Sequence, residues 1–177
     1  MKRLFRQLVE RFARLYLVQR VVRTFIATGE LFFKGWGFFR VRAILSVPAG
    51  SSCHWSVQFK YPDNISLAGP VMISPGCVFG AKAPISLGNQ VRLSQGVHIE
   101  TASLDLNSGL PYKHIAKPIS IGDGVWIGAH SIVLGGVTIG ANAVIGAGVV
   151  VSRSVPSGAI VVGMGAREIV KKLDYKN

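Results

Sequence analysis

From Ile121 onward an aliphatic residue returns at every sixth position: Ile121, Ile127, Val133, Ile139, Ile145 and Val151. Gly122, Gly128, Gly140 and Gly146 follow four of them. Four residues after each aliphatic stands a second small or β-branched residue: Val125, Ser131, Val137, Ala143, Val149 and Val155. Neither helix nor ordinary strand periodicity demands this pattern, which is that of a hexapeptide repeat. The same frame occurs upstream as Leu67, Ile73 and Phe79 with Val71, Cys77 and Ala83. After a shift of two it resumes as Leu87, Leu93 and Ile99 with Val91, Val97 and Ser103. Units with two size-restricted inward positions and a glycine able to take turn conformations build a solenoid of short parallel strands joined by turns. Three units close one coil of a triangular prism, so the visible repeats predict about four coils. Residues 41–64 are expected to form a poorly matched first coil or cap. A polar loop, 104–118, interrupts the repeat with Asp105, Asn107, Ser108, Tyr112, Lys113, His114 and Lys117. A long excursion from a regular solenoid is where function is expected.

The 177 residues are 49% hydrophobic and 16% charged, which fits one main folded domain and excludes a disordered chain. Cys53 and Cys77 have no CxxC or Cys/His spacing, so a disulfide framework and a zinc ribbon are both excluded and a reducing, cytoplasmic compartment is expected. No run of about 18 uncharged apolar residues exists, and arginines fill the stretch where a signal peptide would need its apolar region.

The net charge of +12 is unevenly placed. Residues 1–42 hold ten basic side chains against Glu10 and Glu30, a net of +8. Leu4, Leu8, Phe12, Leu15, Val18 and Val22 recur at steps of three and four, with Arg3, Arg6, Arg11, Arg14 and Arg20 largely between them. That spacing predicts a basic amphipathic helix up to about Ile26, within a helical segment spanning 1–40. Three readings stay open: packing on this or a neighbouring subunit, an interfacial helix on anionic lipid, or a nucleic-acid arm. Phe25, Leu31, Phe32, Phe33, Trp36, Phe38 and Phe39, with Lys34 and Arg40, favour peripheral contact with the inner face of a membrane over nucleic acid.

The segment KPISIGDGVWIGAHSIVLGGVTIGANAVIGAG, Lys117 to Gly148, resembles the hexapeptide-repeat acyltransferases, in particular the maltose, galactoside and exopolysaccharide O-acetyltransferase branch. The resemblance covers residues 65–172 and implies an all-β solenoid, a left-handed parallel β-helix over 41–163. It also implies a short C-terminal helix within 164–177. It implies a homotrimer, acetyl-CoA as acyl donor, and a sugar or glycan hydroxyl as acceptor in polysaccharide or lipopolysaccharide assembly. A histidine general base in this branch takes the acceptor proton while backbone N–H groups hold the oxyanion. The matching stretch here is Thr101-Ala102-Ser103-Leu104-Asp105, with Leu104 where the branch has histidine.

That substitution leaves two readings, an acetyltransferase with a displaced base and a degenerate trimer that binds without catalysis. His114, at the end of the polar loop, is the first candidate base, with Asp105 to orient it or act itself, and His98 in GVHI the next candidate. His130 in WIGAH matches a position beside the cofactor path, and His54 has no readable role. Trp126 matches the tryptophan lining the acceptor and thioester region. Ala129, Ala147 and Ser152 match positions bordering the pantetheine arm, where small residues let an extended chain lie against the coils. Arg153 and Arg167 match cations near the nucleotide end of CoA. The ending GMGAREIVKK departs from the family's pattern at Met164 and Gly165 and leaves Lys171 and Lys172 as phosphate neighbours. His98, His114 and His130 lack the spacing of the metal-binding histidines in γ-class carbonic anhydrases, so no metal is expected. The 64 residues before the repeat carry no Gly-rich phosphate loop, which argues against nucleotidyl-sugar synthesis.

Overall fold

The structure is a computed structural model that describes Lys2, Phe5, Arg6, residues 16–163 and residues 167–169. Two compact units divide the chain, Met1–Trp36 and Gly37–Asn177. Helix α1 (Tyr16–Ile44) runs well past the expected end at Ile26. The aromatic continuation keeps helical spacing, and no proline intervenes before Pro48. Leu4, Leu8, Phe12 and Leu15 lie outside the described residues. In the second unit the last turn of α1 buries Val41, and Leu45 just beyond it joins the solenoid core. There Arg40 also donates to the Trp55 carbonyl over 2.8 Å.

The solenoid starts earlier than the repeat does. Its first coil is β1 (Ser52–Cys53), β2 (Gln58–Lys60) and β3 (Ile65–Leu67). The second is β4 (Val71–Ile73), β5 (Val78–Gly80) and β6 (Ile85–Leu87). The third runs through β7 (Val91–Leu93) and β8 (His98–Glu100), leaves the prism as β9 (Ala102–Asp105) and β10 (Lys113–Ala116), and returns as β11 (Ile119–Ile121). β12 (Trp126–Ile127), β13 (Ile132–Leu134) and β14 (Thr138–Ile139) make the fourth. β15 (Val144–Ile145), β16 (Val150–Val151) and a bridge from Val155 to Ile139 make the fifth. β17 (Ile160–Val162) opens a sixth.

Parallel pairing stacks the coils into three faces of a left-handed β-helix. The first face is β1-β4-β7-β12-β15-β17, the second β2-β5-β8-β13-β16, and the third β3-β6-β11-β14. The expected first coil forms because β1 and β2 pair in register with β4 and β5 although they lack the repeat's aliphatics. Backbone hydrogen bonds do not need the side-chain pattern.

The prism is filled as the six-residue frame requires. Ile73, Phe79, Leu87, Leu93, Ile99, Ile121, Ile127, Val133, Ile139, Ile145 and Val151 are buried, as are Val71, Cys77, Val91, Val97, Val125, Ser131, Val137, Ala143, Val149 and Val155. Each aliphatic taken out of water contributes about 1.5–3 kcal/mol. Phe79 stacks on Phe59 of the coil below, with ring centroids 5.3 Å apart. Buried Ser131 donates to the Gly146 carbonyl over 2.7 Å and so satisfies its hydroxyl between coils. Ser103, expected inside, is exposed on β9; the chain leaves the prism after buried Thr101, whose hydroxyl donates to the Gly80 carbonyl over 2.7 Å.

The repeat glycines have a different role from the one expected. Gly128 and Gly140 do not take the left-handed conformation, but a Cβ on Gly128 would stand 2.6 Å from the Ala147 nitrogen of the next coil. They are small because coils approach backbone to backbone; the left-handed turn falls instead at positions such as Gly124. The expected C-terminal helix is corrected over 167–169, where β18 (Arg167–Ile169) pairs antiparallel with β17. The outer edge of β17 offers unpaired backbone groups, and the returning chain satisfies them.

Both cysteines are free thiols. Burial, then the charge of a neighbouring Cys77 thiolate, pushes the Cys53 thiol up to about 12, against a lowering by Arg40. Burial also raises Cys77, opposed by hydrogen bonds from backbone around Val97, Gly96 and Ser74. The folded pKa values exceed the ordinary 9.0, so this contribution is full below that pH and is lost as pH rises toward 12. Denaturant midpoints measured across that window are expected to fall less steeply for the Cys53→Ala/Cys77→Ala protein than for the parent. Equal slopes would show that thiol ionisation does not carry the loss.

Candidate active site

The interrupting segment is a β-hairpin, not an irregular loop. β9 and β10 pair with the register Lys113↔Asp105, His114↔Leu104, Ile115↔Ser103 and Ala116↔Ala102. Its base is fixed to the coils by Lys117 N–H donating to the Thr101 carbonyl over 3.0 Å, and Gly136 N–H to the Pro118 carbonyl over 3.0 Å. Directly opposed residues project from one side of a ladder with Cβ atoms about 4.5–5.5 Å apart. His114, exposed, therefore shares one side of the hairpin with Leu104.

Asp105 is occupied by the turn. Its carboxylate accepts the Asn107 N–H over 3.1 Å, and its carbonyl accepts the Ser108 hydroxyl over 2.8 Å. That hydroxyl in turn accepts the Lys113 N–H over 2.8 Å. Asp105 shapes the hairpin that carries His114. The tip exposes Leu106 and Leu110.

The other candidates fall along two edges of the prism. At the turn between the first and second faces, Ala129 and Ala147 occupy equivalent corners of successive coils, joined by Gly148 N–H donating to the Ala129 carbonyl over 2.8 Å. Trp126 stands exposed just before that corner, its indole N–H donating to the Ser94 hydroxyl over 3.0 Å. His130 takes a left-handed corner conformation with its ring over Gly96, and its N–H donates to the Gln95 carbonyl over 2.9 Å. Ser152 and Arg153, both exposed, lie at the turn after the second face, two coils along from the hairpin base. His98 sits between the edges on β8, its Nε2 3.8 Å from the Glu100 carboxylate. The backbone of Arg167 pairs with Val162, while its side chain and Lys171 and Lys172 lie outside the described residues.

The structure thus groups Trp126, Ala129, Ala147 and His130 on one edge, and the hairpin, Ser152 and Arg153 on the other. Ser94 and Glu100 were not found by sequence reasoning. Ser94 precedes Trp126 by 32 residues because the hairpin lengthens that coil, so no fixed period connects them.

Residues 118–153 match the family model described as bacterial transferase hexapeptide (six repeats). The chain is similar to nodulation protein L of Rhizobium meliloti (strain 1021), 35% identical over 134 residues, which are 75% of this chain and 73% of that protein. It spans less of other relatives, 56% of one from Schizosaccharomyces pombe and 65% of one from Dictyostelium discoideum. Among solved structures it is similar to a maltose O-acetyltransferase from Clostridium difficile 630, with a TM-score of 0.61 and 31% identity over 74% of this chain and 72% of that one. A galactoside acetyltransferase in complex with coenzyme A matches with a TM-score of 0.66 and 27% identity, over 72% of this chain and 64% of that one.

Proposed function

The chain belongs to the hexapeptide-repeat acetyltransferases, and from that premise we propose that it transfers an acyl group, specifically acetyl from acetyl-CoA, to a sugar hydroxyl in polysaccharide or lipopolysaccharide assembly. The observation that carries the reading is the hairpin register, which sets His114 across from Leu104. A base missing from one strand is supplied from the other. The neutral imidazole of His114 takes the acceptor's hydroxyl proton as its oxygen attacks the thioester carbonyl. Backbone N–H groups hold the tetrahedral oxyanion. When the C–S bond breaks, the imidazolium returns the proton to the departing CoA thiolate, and the ester is released.

Acetyl-CoA is assigned to the edges of the prism. Ala129 and Ala147 leave room for the pantetheine arm against the coils, Trp126 borders the thioester, and Ser152 and Arg153 stand toward the nucleotide. The separation of these residues on two edges supports a site between subunits of a homotrimer, one protomer's Trp126 edge facing the next one's hairpin. The exposed Leu106 and Leu110 support the same assembly, since such side chains gain from burial at a contact. The acceptor class draws on the maltose and galactoside enzymes among the similar structures.

Leu104 favours one rival, a trimer that binds without catalysis. Calorimetric titration with acetyl-CoA separates the two. Saturable binding, weakened about tenfold by Trp126→Ala, is the expected result for an indole that packs on the ligand. No binding at millimolar acetyl-CoA would favour the rival and retire the transferase.

A further inference from the structure

The first unit carries a surface that the transferase reading does not use. Along α1, Val21, Val22, Phe25, Ile26, Phe32 and Trp36 are all exposed, Phe25 by 78%, Phe32 by 69% and Trp36 by 61%. At about 100° per residue these six fall within an arc of roughly 140°. Gln19, Arg20, Arg23 and Thr24 fall outside it, and of the exposed large apolar residues between Val21 and Trp36 only Leu31 joins them.

The polar groups at the margin of the arc are arranged for an apolar surrounding. The Thr28 hydroxyl donates to the carbonyls of Thr24 and Phe25 over 3.0 Å each, leaving little to desolvate. No helix among the described residues is long and apolar enough to cross a membrane. A helix with a wide aromatic face and a cationic opposite side lies in the plane of a bilayer surface instead, with its apolar face at the headgroup–acyl boundary. The sign of the charge selects the lipid: residues 1–42 carry a net +8, and anionic headgroups complement it.

We infer that the apolar arc of α1 is a docking surface for an anionic lipid bilayer, on which the helix lies flat with Phe25, Phe32 and Trp36 inserted. The inference does not rest on the acyltransferase reading, and its test measures no catalysis. The full-length protein is floated with vesicles of phosphatidylcholine alone and of phosphatidylcholine with about one quarter phosphatidylglycerol. Binding is expected to the second kind, at least about tenfold weaker to the first, and weakened by salt. Trp36 emission, taken as the difference between the parent and Trp36→Phe, shifts to the blue on the anionic vesicles.

Phe25→Ser/Phe32→Ser is expected to weaken binding more than about tenfold by removing the inserted area. Arg20→Gln/Arg23→Gln loses about 25-fold, roughly fivefold for each charge. These side chains are exposed, so an unchanged thermal transition shows that both variants remain folded. The inference is overturned if the protein fails to float with anionic vesicles, if neutral vesicles bind it equally, or if neither substitution pair weakens binding. It is also overturned if Phe25→Ser/Phe32→Ser lowers the subunit number in lipid-free solution while leaving vesicle binding intact. That outcome would assign the arc to a second copy of the chain.

Discussion

His114→Ala is expected to slow acyl transfer about 10²–10⁴-fold, the usual worth of a positioned general base, while acetyl-CoA affinity stays within about twofold, since the imidazole acts on the acceptor proton. The effect is specific to the hairpin register, which gives the proposal a second arm. Leu104→His places an imidazole on the same side of the ladder, one strand across. In the His114→Ala background it is expected to restore part of the lost rate. Full activity in His114→Ala would remove His114 from the chemistry and direct attention to His98, whose Nε2 lies 3.8 Å from the Glu100 carboxylate. An inactive double variant that still binds acetyl-CoA would mean that the two positions do not address the same point in space.

Phe79→Ala is expected to destabilise the solenoid by about 3–5 kcal/mol, as for other buried aromatics cut to alanine. For a chain of this size that lowers the melting temperature by about 6–20 °C. Phe79 is 1% exposed and stacks on Phe59, in a column that continues through Ile99 of the next coil. Removing the ring opens a cavity between two coils that backbone pairing holds at fixed separation, so the walls have little freedom to collapse. Thermal unfolding followed by circular dichroism measures the loss. A decrease below about 1 kcal/mol would show that Phe59 moves into the space and that the lower coils are softer than their pairing implies.

The prism was legible in the chain because its rule is local. Each coil takes one inward aliphatic per strand, so Ile121, Ile127 and Val133 declare three faces without reference to distant residues. The first coil, over 41–64, was legible only as a poorly matched one for the complementary reason. β1 and β2 pair through their backbones, and Cys53 and Phe59, six apart and packed against the core, keep the frame without an aliphatic to mark it. The glycines were visible but their cause was not. Gly128 follows its aliphatic in the frame of a turn residue, and only the stacked coil shows Ala147 where a Cβ would go.

Sequence by itself determined that the chain forms a six-residue solenoid, that basic charge gathers at the N-terminal segment, and that polar chemistry interrupts the third coil. These follow from hydrophobic spacing and charge order, which exist along one dimension. Tertiary structure alone decided that the interruption is a hairpin, that His114 opposes Leu104, and that Trp126 donates to a serine of the preceding coil. It also decided that the apolar arc of α1 remains exposed. Register and burial depend on where separate turns bring the chain back. The 34 residues between Arg92 and its coil neighbour Trp126, against 18 between Trp126 and Val144, show that no single period encodes that return.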